Sequence, residues 1–282
     1  MERLKKKILI FGSSGLLGEY ICRNLNKEKI NFYSFSKSNK NIKENKRFHY
    51  FNLNSELSSK MLLIIKKSDL IIFNAALMPS KKDISRNYFI KTNTLFLKKI
   101  IRIVKKYNKK IIYISGILTD QVDLIKKRKI FNEQNIYYLQ SKLAAEKIIK
   151  KEVPKKLFLI LKTSSLYGSN MNKNKILFKI ANKKIFKPET LDNKILYNFL
   201  HADDFARCII FSIKQNYNGV KVHASKKDFT LKSIYNFFNK AKYLKKCKGS
   251  IKLFNFNKKL LISPKFINKI SIKRGLNSLK RS

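Results

Sequence analysis

Lys7 to Phe11 form a short apolar run that stops at a glycine turn, Gly12-Ser13-Ser14-Gly15-Leu16-Leu17-Gly18, and Leu16 to Leu25 continue with helical spacing. This junction constrains the fold more than any other feature of the chain. Three of only eight glycines fall within seven residues, where a strand hands over to a helix. Gly12 permits the tight turn, Gly15 lets a pyrophosphate approach the backbone, and Gly18 lets the helix pack against the strand. With Ser14 and Leu16 at the start of the helix, the N–H groups there are donors for an anion. The turn predicts a dinucleotide-binding site.

The rest of the first half supports a matching architecture. Ile30 to Phe35, Phe48 to Leu53, Leu70 to Phe73, Ile111 to Ile114 and Leu157 to Leu161 read as strands. Leu57 to Ile65, Asn87 to Lys106 and Tyr137 to Ile149 read as helices. Apolar strands alternating with helices predict an α/β fold, a doubly wound parallel sheet covered on both faces. After about residue 165 the alternation becomes irregular. The expected division is a dinucleotide-binding domain over 1–165 and a smaller mixed lobe over 166–282.

A carboxylate about 20 residues after the glycine turn would hold a ribose 2′-hydroxyl. The second strand ends instead in Ser34-Phe35-Ser36-Lys37. A hydroxyl and a cation at Ser36 and Lys37 suit a 2′-phosphate, which points to NADP ahead of NAD.

Tyr138 and Lys142 lie four apart and share a helix face. An ordinary tyrosine, with a pKa near ~10, is a poor base at neutral pH. A neighbouring ammonium and a positive nicotinamide ring would stabilise its phenolate, so that it exchanges a proton with a substrate oxygen. Spacing alone does not select this pair. Thirteen tyrosines and 55 lysines in 282 residues give about 2.5 such pairs by chance, and the chain has Tyr33/Lys37, Tyr138/Lys142 and Tyr217/Lys221. Context selects the middle one, Tyr138-Leu-Gln-Ser-Lys142-Leu-Ala-Ala-Glu146, on a helix after the fifth strand with small residues for close packing.

With these segments in order, the chain resembles the extended short-chain dehydrogenase/reductase family, of the nucleotide-sugar epimerase/dehydratase type. Gly12 to Gly18 resembles its glycine fingerprint, and Phe73-Asn74-Ala75-Ala76 its cofactor-lining segment. Asn93 sits where a family asparagine supports the site, and Tyr138 and Lys142 match its Tyr-x-x-x-Lys pair. Leu161 to Gly168 and Phe199 to Ala206 resemble two later segments. The resemblance implies a Rossmann domain with a C-terminal substrate lobe. It implies a nucleotide-linked sugar as substrate, modified through a keto-sugar by reduction, epimerisation or dehydration, in the setting of polysaccharide biosynthesis. It also implies a homodimer paired through the helix that carries the tyrosine. Within it, Tyr138 is the acid/base, Lys142 its tuner and ribose anchor, and Ser115 the group that orients the substrate. The pattern departs in three places. Gly116 stands where the family has a serine or threonine, so that Ser115 or Thr119 would have to serve. Lys162 replaces an arginine, and Asn52 an aspartate. An alternative reading is therefore a catalytically weak relative that binds cofactor, or nucleic acid through a basic surface.

The formal charge of +47 raises that last reading. Yet lysines outnumber arginines 55 to 9, asparagine, isoleucine, phenylalanine and tyrosine are abundant, and alanine, proline and tryptophan are scarce. A codon bias accounts for that pattern, and arginine forks, the better phosphate reagent, are few. Residues 229–282 carry fifteen basic side chains and no acidic one, which fits either an RNA or anionic membrane surface or a solvated lysine-rich lobe. No apolar run approaches the ~20 residues of a membrane span. Arg3 and Lys5 to Lys7 precede an apolar run too short for a signal peptide. Cys22, Cys208 and Cys247 have neither disulfide nor metal spacing, and His49, His201 and His223 lie far apart, so no metal site is expected. A reducing, cytoplasmic setting is the expectation.

Overall fold

The structure, a computed structural model, describes residues 6–37, 48–54, 56–79, 83–184, 189, 191–239, 251–253, 258–263 and 266–279. Arg3, Lys5, Cys247 and much of the basic stretch 229–282 lie outside the described residues.

The chain opens with β1 (Ile8–Phe11), α1 (Leu16–Lys27), β2 (Phe32–Ser36) and β3 (Phe48–Tyr50). There follow α2 (Ser59–Lys67), β4 (Leu70–Phe73), α3 (Arg86–Lys106), β5 (Lys110–Gly116), α4 (Val122–Lys127), α5 (Glu133–Glu152) and β6 (Phe158–Thr163). The second half holds β7 (Ser165–Tyr167), α6 (Ile176–Ala181), β8 (Ile195–His201), α7 (Ala202–Lys214), β9 (Gly219–His223), β10 (Asp228–Phe229), α8 (Leu231–Asn239), β11 (Ile251–Lys252) and α9 (Ile272–Ser278).

Seven strands form one parallel sheet in the order β3-β2-β1-β4-β5-β6-β9. β1 and β4 are buried at every residue, as strands covered on both faces must be. Ile8, Ile10, Ile112, Ile114, Leu159 and Leu161 face α1 and α7, packing with Leu17, Ile21, Phe205 and Ile209. Leu9, Phe11, Ile71, Phe73 and Ile160 face α3 and α5, against Phe96, Ile100, Ala145 and Ile149. Side-chain caps start the helices of that layer. Ser58, Ser85 and Asn132 each accept from a backbone N–H of the first turn of α2, α3 and α5. This is the Rossmann arrangement, with the order reversing between β1 and β4. The crevice over that switch point lies at the carboxyl ends of the strands, where Gly12 and Asn74 sit.

The chain beyond residue 165 does not stay in one place. α7 packs on α1 and β9 joins the central sheet, while β7, β10 and β11 gather around β8 in a second, mixed sheet. A core of its own, including Tyr167, Phe178, Phe229, Ile234 and Leu276, supports that sheet.

Candidate active site

Gly12 has φ +86°, and a Cβ there would lie 2.7 Å from the Ala75 backbone nitrogen. A Cβ on Gly18 would lie 2.1 Å from Gly12 O. Both glycines are thus required by the protein's own packing, which seats α1 under the turn. Gly15 is different. A Cβ there would meet only Gly12 O, at 3.7 Å, so nothing in the protein reserves that space. The gap lies on the wall of a cavity and fits a pyrophosphate drawn against the backbone at the start of α1. The residues present fit a dinucleotide.

The cavity has a volume of about 910 Å³. Gly12, Ser14, Gly15 and Leu16 line one end, with Ser36 and Lys37 beside them, then Asn74, Ala75 and Ala76, then Ser115, Gly116, Tyr138 and Lys142. Two expected residues do not reach it. Gly18 packs beneath the turn. Asn93 is buried on α3, where it accepts from Leu77 N at 2.6 Å and donates to Leu77 O at 3.2 Å and to Ser141 Oγ at 2.8 Å. It braces the segment after β4 against α5. Asn74 donates to Gly12 O at 3.1 Å and so ties the ends of β4 and β1 together.

The polar side chains at the ends of β2 and β5 have partners within the protein. Ser36 Oγ accepts from Ser14 N at 3.1 Å and also hydrogen-bonds Ser14 Oγ, so this hydroxyl closes the glycine turn. Lys37 is exposed at the rim. Ser115 Oγ donates to Glu146 Oε1 at 2.6 Å. Thr119 Oγ1 lies 2.8 Å from both Gly116 O and Glu146 Oε1. Lys162 Nζ donates to Thr119 Oγ1 at 3.0 Å and to Asp120 Oδ1 at 2.6 Å, and pairs with Glu146 Oε2 at 2.8 Å. Both hydroxyls proposed to stand in for the one missing at Gly116 are thus committed to a buried network beneath the site.

Lys142 Nζ donates to Ile114 O at 2.7 Å and sits 4.0 Å from the centroid of the Tyr113 ring. Burial pushes this ammonium down to about 7, opposed by the Glu146 carboxylate one turn on. Burial pushes the Tyr138 phenol up to about 12. The expected lowering of Tyr138 by Lys142 is therefore reversed in the free protein, because the lysine turns to a backbone carbonyl and the desolvation of a phenolate dominates.

The spacing of Glu146, four residues past Lys142, was visible in the sequence, but its partners were not. Thr163, Ser164 and Phe199 fall in the two later segments that resemble the family, without a role assigned to them there, and Met171 and Tyr197 on the far-side wall carried no local signal. α1 also reaches that far side. Glu19 accepts twice from Asn170 Nδ2, at 2.6 and 2.7 Å, and Tyr20 OH hydrogen-bonds Ser169 Oγ at 3.1 Å. The helix that begins at the glycine turn thus also anchors a segment of the opposite wall. Among the described residues no three His, Cys, Asp or Glu side chains gather as a metal site, and no helix is long and apolar enough to cross a membrane.

Gly15→Ala should melt like the wild type yet bind NADH at least about tenfold more weakly in a fluorescence titration, a loss of ~1.4 kcal/mol. Gly18→Ala should lower the melting temperature itself. For Lys142, the folded state disfavours the charged form, so between about pH 7 and the ordinary lysine range the unfolded chain binds more protons. Stability should rise with pH across that window, and urea titrations of Lys142→Met should lack that part of the rise.

The model of the NAD dependent epimerase/dehydratase family matches residues 8–226. A search of curated protein sequences finds no match. Solved structures do match. UDP-N-acetylglucosamine 4-epimerase from Bacillus cereus is 20% identical with a TM-score of 0.66, covering 98% of this chain and 96% of that one. UDP-glucuronic acid 4-epimerase from Bacillus cereus, solved with NAD, is 18% identical with a TM-score of 0.71, over 98% and 99%. The Bordetella bronchiseptica enzyme WbmF, solved with NAD+ and UDP, is 16% identical with a TM-score of 0.68, over 99% and 92%. At these identities the likeness is one of fold. Taken with the match over residues 8–226, the glycine turn at the switch point and the sheet order place this chain in the NAD dependent epimerase/dehydratase family.

Proposed function

We propose that this chain is an enzyme that binds a nicotinamide dinucleotide and modifies a nucleotide-linked sugar through a keto-sugar. The observation that carries the reading is that the Tyr138/Lys142 face of α5 and the glycine turn open onto one cavity of about 910 Å³. The structural relatives named above, two of them 4-epimerases of UDP-sugars and two solved with NAD or NAD+, support it.

Gly12, Ser14 and Gly15 would hold the pyrophosphate, Lys37 the adenosine end, and Asn74 to Ala76 with Lys142 the nicotinamide half. When bound, the cofactor supplies the acceptor or donor of hydride. The protein supplies the proton chemistry. Tyr138 gives its phenol proton to the sugar oxygen or takes one from it, and Lys142 favours the phenolate when charged. The substrate side is formed by the lobe beyond residue 165, with α7 and β9 returning to the cofactor domain. For the cofactor's identity, Ser36 is committed to Ser14, so Lys37 alone carries the case for NADP. Reduction and epimerisation both use these groups.

A second reading, a relative that binds cofactor but turns over weakly, draws on Gly116 and on the commitment of Ser115 and Thr119 to Glu146. Hydride transfer decides between them, measured as the single-turnover NADH absorbance transient on mixing NAD-loaded protein with UDP-glucose, UDP-N-acetylglucosamine and UDP-glucuronic acid. Tyr138→Phe should slow transfer by about 10²–10⁴ while NADH affinity stays within about twofold. Transfer indifferent to this change would support the second reading. NADPH and NADH titrations of wild type and Lys37→Asp address the cofactor. A preference of at least about tenfold for NADPH that the variant erases assigns the 2′-phosphate to Lys37. Equal or tighter NADH binding assigns NAD.

A further inference from the structure

The cavity wall holds two buried hydroxyls that have no hydrogen-bond partner among the described residues, Thr163 Oγ1 and Ser164 Oγ. Both lie at the carboxyl end of β6, at the same cavity as Tyr138. The hydroxyls of Ser14, Ser36, Ser115 and Thr119 all have protein partners. Unpaired buried hydroxyls oppose folding, so two of them side by side at a cavity wall mark a place where a ligand completes the bonds.

Thr163 has a specific relation to the gap on β5. In the β5–β6 register Gly116 pairs with Thr163, and Ser115 with Lys162. Side chains alternate along a strand, and registered neighbours in a parallel pair share a face. Ser115 and Lys162 accordingly both reach Glu146, and Thr163 lies on the face to which a side chain at Gly116 would belong. A Cβ at Gly116 would meet only Thr163 O, at 3.8 Å, which leaves the space in front of the glycine open. The hydroxyl absent from β5 is present one strand over.

We propose that Thr163 Oγ1, with Ser164 Oγ beside it, donates the hydrogen bond that orients the reacting oxygen of the sugar against Tyr138, in place of a side chain at Gly116. The proposal rests on the enzymatic reading above. Thr163 keeps its own proton throughout. When Tyr138 gives its proton, the sugar oxygen accepts from both hydroxyls; when Tyr138 takes one, the sugar hydroxyl donates to the phenolate while still accepting from Thr163.

The test compares NAD-loaded wild type with Thr163→Val, Ser164→Ala and the double variant, using UDP-glucose, UDP-N-acetylglucosamine and UDP-glucuronic acid and reading NADH absorbance. Thr163→Val and the double variant should transfer hydride at least about tenfold more slowly, with NADH affinity within about twofold of wild type. Without ligand they should melt at or above the wild-type temperature, because they lose an unpaired group. Gly116→Ser added to Thr163→Val should restore the rate. Variants that melt several degrees lower would assign these hydroxyls to the fold and overturn the proposal. Wild-type rates in the double variant, with Tyr138→Phe still slow, would overturn it and leave the enzymatic reading standing. A wild type without Tyr138-dependent transfer would overturn both.

Discussion

Lys162 and Glu146 meet at 2.8 Å with their side chains 2% and 0% exposed, and the geometry of the site follows from that contact. Such a pair holds its place only when its remaining hydrogen-bonding positions are filled, and loss of one partner strands a buried charge at a cost of about 3–5 kcal/mol. Here Ser115 and Thr119 fill Glu146 Oε1 and Thr119 and Asp120 take two bonds from Lys162, while Glu146 Oε2 has its ion pairs alone. The pair therefore binds the ends of β5 and β6 to the middle of α5. Ile114, whose carbonyl takes the Lys142 ammonium, precedes Ser115 directly. The position of Lys142 is thus set by the same clamp that engages the Ser115 hydroxyl at the cavity wall. With no side chain at Gly116 and the neighbouring hydroxyl committed to Glu146, the unpartnered hydroxyls at this cavity among the described residues are those of Thr163 and Ser164, at the end of β6.

The sequence was most legible where burial is simplest. β4 was read at both ends, Leu70 to Phe73, because a strand covered on both faces is apolar throughout. α5 begins four residues before its expected start at Tyr137. Its first turn, Glu133 to Ile136, is polar but for the last residue and is set by the Asn132 cap rather than by apolar period. The second half resisted because β7, β10 and β11 are two or three residues long, too short for any periodic signal. β9 and α7 were hidden for another reason. They complete layers whose other members lie far back in the chain, and nothing local announces that return. The site divides the same way. The glycine turn and the Tyr138/Lys142 spacing are local patterns. Asn93 reaches Leu77 and Ser141 over 16 and 48 residues, and the meaning of Thr163 lies in the absence of a partner, which only coordinates reveal.

The charge of +47 becomes easier to interpret once its seventeen carboxylates are followed. Several of these scarce groups are fixed inside the fold. Glu146 holds the clamp, Glu19 holds Asn170, and Asp204 accepts from the backbone of Lys269 and Ile270 while pairing with Arg207. In each of these places the geometry uses the carboxylate. Lysines follow the opposite rule. Among the described residues most are at least partly solvated, where one more lysine carries little information. The informative ones are Lys142 and Lys162, buried to 4% and 2% exposure against the cost of desolvating an ammonium. In a chain of this composition burial, not abundance, separates a functional lysine from background.

That criterion also bears on how Tyr138 works. A phenol held at about 12 keeps its proton throughout the neutral range, and a lysine held at about 7 shares its proton between two states there. In the proposed mechanism the free protein would thus rest as a proton donor, with Lys142 only partly charged. A negative or hydrogen-bonding group arriving beside Lys142 would favour the ammonium, and a charged ammonium would in turn lower the phenol. Glu146 raises Lys142 from one turn away while it anchors Lys162 from its other oxygen. The carboxylate that clamps the strands therefore also biases the charge on which Tyr138 would depend in the proposed acid/base role. Any weakening of the clamp would displace the Ile114 carbonyl and discharge Lys142 together, so that the electrostatics of Tyr138 rest on the same buried ion pair as its position.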